Sequence, residues 1–288
     1  MLTDASGTRV GWAGRRDLVV SRRRLLAGAG ALAALASCRS GRGAGELRPV
    51  QGDSGNSGRD PAGHDEGRLG ARPRSHQMAA PARTGVQRLG LEPARDGLLY
   101  VPSTDPARHP LTLVVTLHGA GGDARAGLAP LTGLADELDL MLLAPESRQR
   151  TWDVLLRGFG PDVALIDRAL ARAFDHYVVD PSRVLVAGFS DGASYALSLG
   201  ITNGDLFSAV LAFSPGFATP GQARGSPRLF ISHGTRDPVL RIDATSRRLV
   251  PRFRGAGYDV RYLEFEGGHA VPPDVARTAL TWALGGRP

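Results

Sequence analysis

The stretch "VLVAGFSDGASYAL", residues 184–197, passes from an apolar run through a cluster of glycines and one serine into small residues. The apolar run ends at Gly188, a hydroxyl follows at Ser190, and Gly192 comes before the small residues resume. This order predicts a buried strand, a sharp turn and a helix. Glycines on both sides of the serine indicate a turn so tight that Cβ atoms there would collide, which leaves the Ser190 hydroxyl exposed in a strained conformation.

Short apolar runs alternate with longer amphipathic ones from residue 85 onward. Runs such as "LTLVVTL" do not alternate with polar residues, which indicates strands that are buried on both faces and therefore parallel. We predict an α/β domain with a doubly wound, mostly parallel sheet, helices on both faces and ligands at the carboxyl ends of its strands. The predicted strands are 97–101, 111–117, 140–144, 183–187, 209–213, 229–232 and 260–264, and the predicted helices are 128–138, 161–177, 193–199, 243–255 and 273–284.

A serine needs a base, and the base needs a group that orients it. His269 lies in "FEGGHAVP", a glycine-flanked loop after the last predicted strand, where a mobile base is expected. Asp237 lies in "SHGTRDPVL", just past the preceding strand, and Asp243 is interpreted as a helix N-cap instead. The order Ser190, Asp237, His269 is the order that this type of fold requires.

The other histidines fit structural roles better. His118 and His233 each end a predicted strand in a His-Gly pair, which predicts that they stabilise turns. His176 ends the long predicted helix and is expected to cap it. His64 and His76 lie in a polar segment and are predicted to be solvent-exposed spacer residues rather than metal ligands.

Four motifs follow one another along the chain: "HGAGGDA", "GFSDGAS", "SHGTRDPV" and "GGHAVP". Together they resemble the α/β-hydrolase superfamily, whose α/β-hydrolase fold they imply, and they are most similar to its phospholipase/carboxylesterase, feruloyl-esterase and polyhydroxybutyrate-depolymerase-like branch. The resemblance covers roughly residues 95–285. It implies that Ser190 is the nucleophile, that His269 acts as general base and then as general acid, and that Asp237 fixes the tautomer of His269.

The same resemblance implies an oxyanion hole made by the backbone N–H of Asp191 and that of Ala120, with Gly121 as the alternative to Ala120. It implies hydrolysis of a carboxylic ester through an acyl-serine, with no metal and no organic cofactor. The expected partner is a small-molecule or polymer ester. The segment "SPGFATPGQARGSP", residues 214–227, is too short for a large lid, so we expect an open cleft.

Three aromatic residues are candidates for the substrate pocket. Trp152 lies in "SRQRTWDVL" after a strand end, and packing of this loop onto the domain is an equal alternative for it. Phe189 and Phe217 lie near the site by position, and a place in the core is the alternative for each.

The N-terminus contains "SRRRLLAGAGALAALASC", residues 21–38, in which three arginines precede an apolar run of twelve residues. Twelve helical residues rise about 18 Å, well short of the hydrocarbon core of a bilayer, so residues 1–37 are predicted to be a signal peptide. The arginines resemble a twin-arginine export signal, and "LASC", residues 35–38, resembles a lipobox that would place a diacylglycerol on Cys38. An ordinary signal peptide with an incidental cysteine is the alternative.

The net charge of +7 belongs to the N-terminal part of the chain, because residues 85–288 contain 21 basic and 21 acidic residues. A basic surface for nucleic acid on the domain is therefore not expected. Residues 38–84, rich in Gly, Arg and Pro, are predicted to be a disordered tether that joins a lipid anchor outside the cytoplasm to a catalytic domain at 85–288. An acyltransferase with the same triad and a non-catalytic tethered binding lipoprotein are the alternative functions.

Overall fold

The computed structural model of the chain describes residues 63–74, 83–104 and 110–285. The predicted signal peptide, Cys38 and His76 lie outside the described residues. The strands are β1 (Gly85–Arg88), β2 (Gly97–Val101), β3 (Leu111–Leu117), β4 (Leu140–Pro145), β5 (Val179–Phe189), β6 (Ala209–Phe213), β7 (Arg228–Gly234) and β8 (Val260–Phe265). The α-helices are α1 (Ala124–Ala135), α2 (Asp153–Leu156), α3 (Pro161–His176), α4 (Asp191–Thr202), α5 (Ser246–Gly255) and α6 (Pro273–Ala283).

The strands form one eight-stranded sheet in the order β1-β2-β4-β3-β5-β6-β7-β8. The pairs β1·β2 and β2·β4 are antiparallel, and all the others are parallel. Apolar side chains of α1 and α6 pack on one face of the sheet, and those of α3, α4 and α5 pack on the other. All seven residues of β3 are buried because both faces of the sheet are covered. The prediction of a doubly wound, mostly parallel α/β sheet is confirmed.

Several local predictions differ from the structure. No strand was predicted at β1, a short strand at the edge of the sheet whose only aliphatic side chain, Val86, is 52% exposed. Helix α1 begins four residues earlier than predicted, at Ala124, because the Asp123 side chain accepts a hydrogen bond from the Ala126 N–H at 2.8 Å. Asp243 is not a helix N-cap: it lies in the short 3₁₀ turn that precedes α5, and it pairs with Arg247 at 2.7 Å.

The prediction that residues 38–84 form a disordered tether is wrong for residues 63–74, which we call the N-terminal strap. The strap packs on the domain through Leu69, which is only 2% exposed. Asn203, which follows α4, accepts the Leu69 N–H at 3.0 Å and donates to the Gly67 carbonyl at 2.7 Å. The composition of the strap did not predict its packing, because polar side chains and backbone groups, rather than apolar side chains, attach most of it to the domain.

Charged groups add to this attachment. Arg68 forms an ion pair with Asp205 at 3.0 Å and donates to the Thr202 carbonyl at 2.6 Å. His64 Nε2 lies 3.0 Å from Asp167 Oδ2 on α3, so the prediction that His64 is a solvent-exposed spacer residue is also wrong. The strap therefore bridges α3 and the end of α4 and belongs to the folded domain.

Among the helices of residues 63–74, 83–104 and 110–285, none has the length and apolarity that a membrane-spanning segment requires.

Candidate active site

Ser190 occupies a sharp turn between β5 and α4, with φ 57° and ψ −120°. A positive φ is strained for a serine and persists only where the surroundings enforce it. Glycine is required on the strand side of the turn, because a Cβ at Gly188 would lie 2.2 Å from the Gly192 carbonyl oxygen. The predicted strand–turn–helix unit is therefore present, and its tightness explains Gly188.

Ser190, His269 and Asp237, far apart in sequence, lie in one chain of hydrogen bonds. His269 Nε2 lies 2.9 Å from Ser190 Oγ, and His269 Nδ1 lies 2.6 Å from Asp237 Oδ2. Because the ionised Asp237 carboxylate can only accept, the Nδ1 atom carries the proton and Nε2 is left to accept the Ser190 hydroxyl proton. This is the arrangement in which a serine can be activated as a nucleophile.

The loops that carry Asp237 and His269 follow β7 and β8, which are neighbouring parallel strands. The Thr235 N–H donates to the Phe265 carbonyl, and the Arg236 N–H donates to the Gly267 carbonyl, both at 2.9 Å. The two loops touch so closely at Gly234 that a Cβ there would lie 2.3 Å from the carbonyl oxygen of Gly268. These backbone contacts set the distance between the acid and the base.

Asp237 is held as a carboxylate by its surroundings. Its Oδ1 atom accepts the backbone N–H groups of Val239 and Leu240, both at 2.8 Å. Burial alone would raise the pKa of Asp237, but the hydrogen bonds from His269 and from these two N–H groups outweigh burial and lower that pKa. The Asp237 carboxylate is therefore charged and fixed in orientation.

The structure distinguishes the two predicted candidates for the second oxyanion donor. The Gly121 N–H is already engaged, since it donates to the Arg150 carbonyl at 2.6 Å. The N–H groups of Ala120 and Asp191 donate no hydrogen bond within the part of the chain that the structure describes. Asp191 is the first residue of α4, where the positive end of the helix dipole also favours an anion. Ala120 and Asp191 remain available as donors.

Trp152 does not line a pocket, which corrects one of the two predicted roles. Its side chain is 0% exposed, and its Nε1–H donates to the His118 carbonyl at 2.9 Å. The indole ring stacks on Tyr195 of α4 with 4.9 Å between ring centroids. Trp152 therefore packs the 147–152 loop onto the domain, and the Thr151 hydroxyl attaches the same loop to the Asp191 carboxylate at 2.6 Å.

Phe189 and Phe217 are partly exposed, as a pocket residue must be. The Phe189 ring lies against the His269 ring, with 4.6 Å between centroids. Phe217 follows β6, and its N–H lies 3.3 Å from the Ser194 hydroxyl on α4. Their role in binding a substrate stays a prediction.

His118, His233 and His176 have structural contacts, as expected. His118 accepts the Ser147 N–H at 3.1 Å, and burial lowers its pKa so that the ring is neutral. His233 is completely buried at the end of β7. His176 contacts the Arg172 carbonyl at 2.8 Å in the last turn of α3.

Sequence reasoning missed a pair of buried carboxylates, Asp153 and Asp162, which close the loop behind Trp152. Each accepts the backbone N–H of the other, at 2.7 and 2.8 Å, and Asp153 also accepts the Tyr195 hydroxyl at 3.0 Å. Burial and the charge of Asp153 raise the pKa of Asp162 to about 6. The sequence offered one signal for Asp162, its place beside Pro161 in the first turn of a predicted helix. No local pattern indicated that Asp153 is its partner.

No protein-family model matches the chain. A curated acetylxylan esterase of Coprinopsis cinerea is 28% identical over 148 residues, which are 48% of this chain and 39% of that protein. The chain thus matches about two fifths of the length of this relative.

Solved structures with lower identity share the architecture. Esterase PE8 superposes with a TM-score of 0.54 at 23% identity, over 66% of this chain and 97% of that one. A fluorophosphonate-binding serine hydrolase of Staphylococcus aureus, FphF, gives a TM-score of 0.57 at 14% identity, over 71% and 99%. An S-formylglutathione hydrolase of Staphylococcus aureus gives 0.54 at 14% identity, over 65% and 91%. At these identities the likeness shows a shared fold.

Proposed function

Because the chain has the α/β-hydrolase fold, we propose that it is a serine hydrolase that cleaves carboxylic esters through an acyl-serine intermediate. The observation that carries the proposal is the hydrogen-bond chain from Ser190 through His269 to Asp237. The backbone N–H groups of Ala120 and Asp191, which donate to no atom of the described residues, add to it. Those are the parts that acyl transfer requires: an activated nucleophile, an oriented base and donors for an oxyanion.

In the first half of the reaction, Ser190 Oγ attacks the ester carbonyl carbon while His269 Nε2 takes the hydroxyl proton. The imidazolium that forms is stabilised through its Nδ1–H by the Asp237 carboxylate, 2.6 Å away. Negative charge develops on the former carbonyl oxygen, where the N–H groups of Asp191 and Ala120 are free to donate. His269 then returns its proton to the leaving alcohol oxygen as the C–O bond breaks.

In the second half, water replaces the alcohol. His269 Nε2 takes a proton from the water as its oxygen attacks the acyl carbon, and the same N–H groups hold the second oxyanion. Collapse of that intermediate breaks the bond to Ser190 Oγ, which recovers its proton from His269. The products are a carboxylic acid and free enzyme.

The substrate class that we propose is a small acyl ester, such as an acetyl group on a sugar or another accessible alcohol. Two observations support it. The curated relative with 28% identity is named an acetylxylan esterase. The connection between β6 and β7, residues 214–227, contains no helix that would cover the site as a lid.

We also propose that the enzyme is exported and anchored outside the cytoplasm by a lipid on Cys38, as the apolar run and "LASC" segment suggest. Mass spectrometry of the mature chain from the native host should show an N-terminal Cys38 carrying a diacylglycerol. A mature chain that retains Met1, or one cleaved elsewhere with a free Cys38 thiol, would contradict the anchor.

Turnover of p-nitrophenyl acetate, p-nitrophenyl butyrate and acetylated xylan by residues 39–288 tests the proposed reaction. We expect turnover of the acetate, labelling by a fluorophosphonate probe, and loss of both in Ser190→Ala. Ser182→Ala, at an exposed serine before the core of β5, is the matched control and should keep both. Labelling that persists in Ser190→Ala would overturn the assignment of the nucleophile.

A further inference from the structure

His233 has contacts that a turn-stabilising residue does not need. It lies four residues before Asp237, and its side chain is 0% exposed. Its Nε2 atom lies 2.7 Å from the Leu240 carbonyl oxygen and 3.2 Å from Asp237 Oδ2. Its Nδ1 atom lies 2.7 Å from the hydroxyl of Ser246, at the start of α5.

These contacts determine where the ring carries its proton. The Leu240 carbonyl and the Asp237 carboxylate can only accept, so the hydrogen must lie on Nε2. The Nδ1 lone pair then accepts the Ser246 hydroxyl hydrogen. Burial lowers the pKa of His233, which keeps the ring neutral. The ring is thus locked in one tautomer from both sides.

The charged and titratable groups that face His233 are few. Asp237 lies on the same segment as His233. Glu264 approaches from β8, and His269 approaches from the loop that follows β8. Glu264 forms an ion pair with Arg247 of α5 at 2.6 Å, and the Arg247 charge offsets the effect of Glu264 on His233. Asp237 is therefore the anion that His233 contacts directly.

We infer that His233 is a positioning residue that acts on His269 through Asp237: its N–H group lies close to the carboxylate and withdraws part of the Asp237 charge from His269. Asp237 Oδ2 accepts the His269 Nδ1–H at 2.6 Å and lies 3.2 Å from His233 Nε2, whose hydrogen bond goes to the Leu240 carbonyl. An N–H group this close to a carboxylate oxygen stabilises the anion and weakens its attraction for a neighbouring cation. The same N–H group also closes the turn at Leu240, whose own N–H bonds Asp237 Oδ1.

The role of His233 in catalysis rests on the proposed function. The test of its effect on His269 does not, because it needs no turnover. Without the His233 donor, Asp237 would stabilise the His269 imidazolium more strongly, so the pKa of His269 would rise. A purely structural histidine would change the melting temperature and leave the titration of His269 unchanged.

The matched pair is His233→Met and His233→Gln, two side chains of nearly equal size of which only glutamine can donate a hydrogen bond. Titration of the His269 ring by NMR in residues 39–288 gives its pKa directly, without turnover. We expect His233→Met to raise that pKa by about 0.5 to 1 unit, and His233→Gln to restore most of the wild-type value. His118→Met removes another buried histidine, at the end of β3, and should leave the pKa of His269 unchanged.

An unchanged pKa in folded His233→Met, or an equal rise in His118→Met, would overturn the inference. If neither His233 variant folds, the wild-type ring decides the question: ¹⁵N shifts should show His233 protonated at Nε2 and unprotonated at Nδ1 from pH 5 to 9. The other tautomer, or a charged ring, would overturn it.

Kinetics separate this inference from the proposed function. If wild type hydrolyses esters, the acid limb of its kcat/KM against pH should move upward in His233→Met by the same amount as the NMR pKa. Failure of the acid limb to move with it would also overturn the inference. If wild type hydrolyses no ester, the proposed function is contradicted, and the NMR titration still decides whether His233 acts on Asp237.

Discussion

Gly192, in the first turn of α4, lies against the backbone of Leu117, the last residue of β3. A Cβ at Gly192 would lie 2.1 Å from the Leu117 carbonyl oxygen and 2.5 Å from that of His118. This contact presses the helix that begins after Ser190 onto the strand end that leads to Ala120. Gly119, which comes just before Ala120, also lies beside the serine, since a Cβ there would be 3.4 Å from the Ser190 Cβ.

Gly192→Ala should therefore disrupt both the fold and the site. The added methyl group has no room against backbone, so we expect a loss of about 3 kcal/mol in the free energy of unfolding, together with loss of ester turnover. Urea unfolding and p-nitrophenyl acetate hydrolysis measure the two effects. Gly133→Ala in α1, where a Cβ meets no atom within 4 Å, is the control and should be neutral or slightly stabilising. A fully active and stable Gly192→Ala would contradict the geometry of this turn.

The N-terminal strap should contribute measurably to stability. Leu69→Ala removes a buried side chain and is expected to cost about 3 kcal/mol. A chain that begins at residue 85 loses the whole strap and should melt well below one that begins at residue 39. Val86→Ala, at a side chain that is 52% exposed, is the control and should change the melting temperature little. Equal stability of the two chains would show that the strap packs without contributing.

Asp162 should give stability a characteristic dependence on pH. Its pKa is raised to about 6 in the folded protein, above the usual value of an unfolded aspartate. The folded state therefore binds the proton more tightly, and this contribution is complete below about pH 4 and lost as pH rises through 6.

Asp162→Asn cannot titrate, so it reveals this contribution by comparison. We expect the destabilisation caused by the substitution to shrink between pH 4 and pH 7 by up to about 3 kcal/mol, from about two units of pKa. Urea unfolding of both proteins at several pH values measures it. A destabilisation that is constant over this range would contradict the raised pKa of Asp162.

Trp152→Phe tests whether this tryptophan belongs to the core rather than to the substrate pocket. The variant loses the indole N–H and leaves the His118 carbonyl without that donor, so we expect a loss of about 1–3 kcal/mol in stability. The ratio of kcat/KM for p-nitrophenyl acetate and butyrate should not change. Phe189→Leu is the comparison, because Phe189 is partly exposed beside His269, and there the ratio should change. A changed ratio of kcat/KM for the two esters in Trp152→Phe, with stability unchanged, would show that Trp152 contributes to the substrate pocket.

Much of the fold and of the catalytic candidates was accessible from the sequence, because each depended on neighbours in the chain. The unbroken apolar runs indicated strands covered on both faces, and the glycines around Ser190 indicated a turn at a strand end. The position of His269 and Asp237 after successive strands then followed, since the carboxyl ends of parallel strands lie along one edge of a sheet.

The features that the sequence did not give depend on contacts between distant segments. Ala120 could be preferred to Gly121 as the oxyanion donor only once the structure showed that the Gly121 N–H donates to the Arg150 carbonyl. The burial of Trp152 required the stacking surface of Tyr195, more than forty residues away. The strap was not predicted because hydrogen bonds from its backbone to Asn203, a residue far along the chain, help to hold it in place. The composition of the strap carries no information about such a distant partner.

The sequence by itself therefore determined the order of the strands from β2 to β8 and of the longer helices, the turn at Ser190 and the three candidate catalytic residues, because periodicity and glycine sterics are local properties. Only the tertiary structure decided how these residues meet. The distance from His269 to Ser190 and the carbonyl that engages Gly121 arise where separate loops pack together. The contact of His233 with Asp237 depends on how the turn after β7 folds back on itself. Hydrogen bonds and close packing act through space, so their partners are known only once the chain has folded.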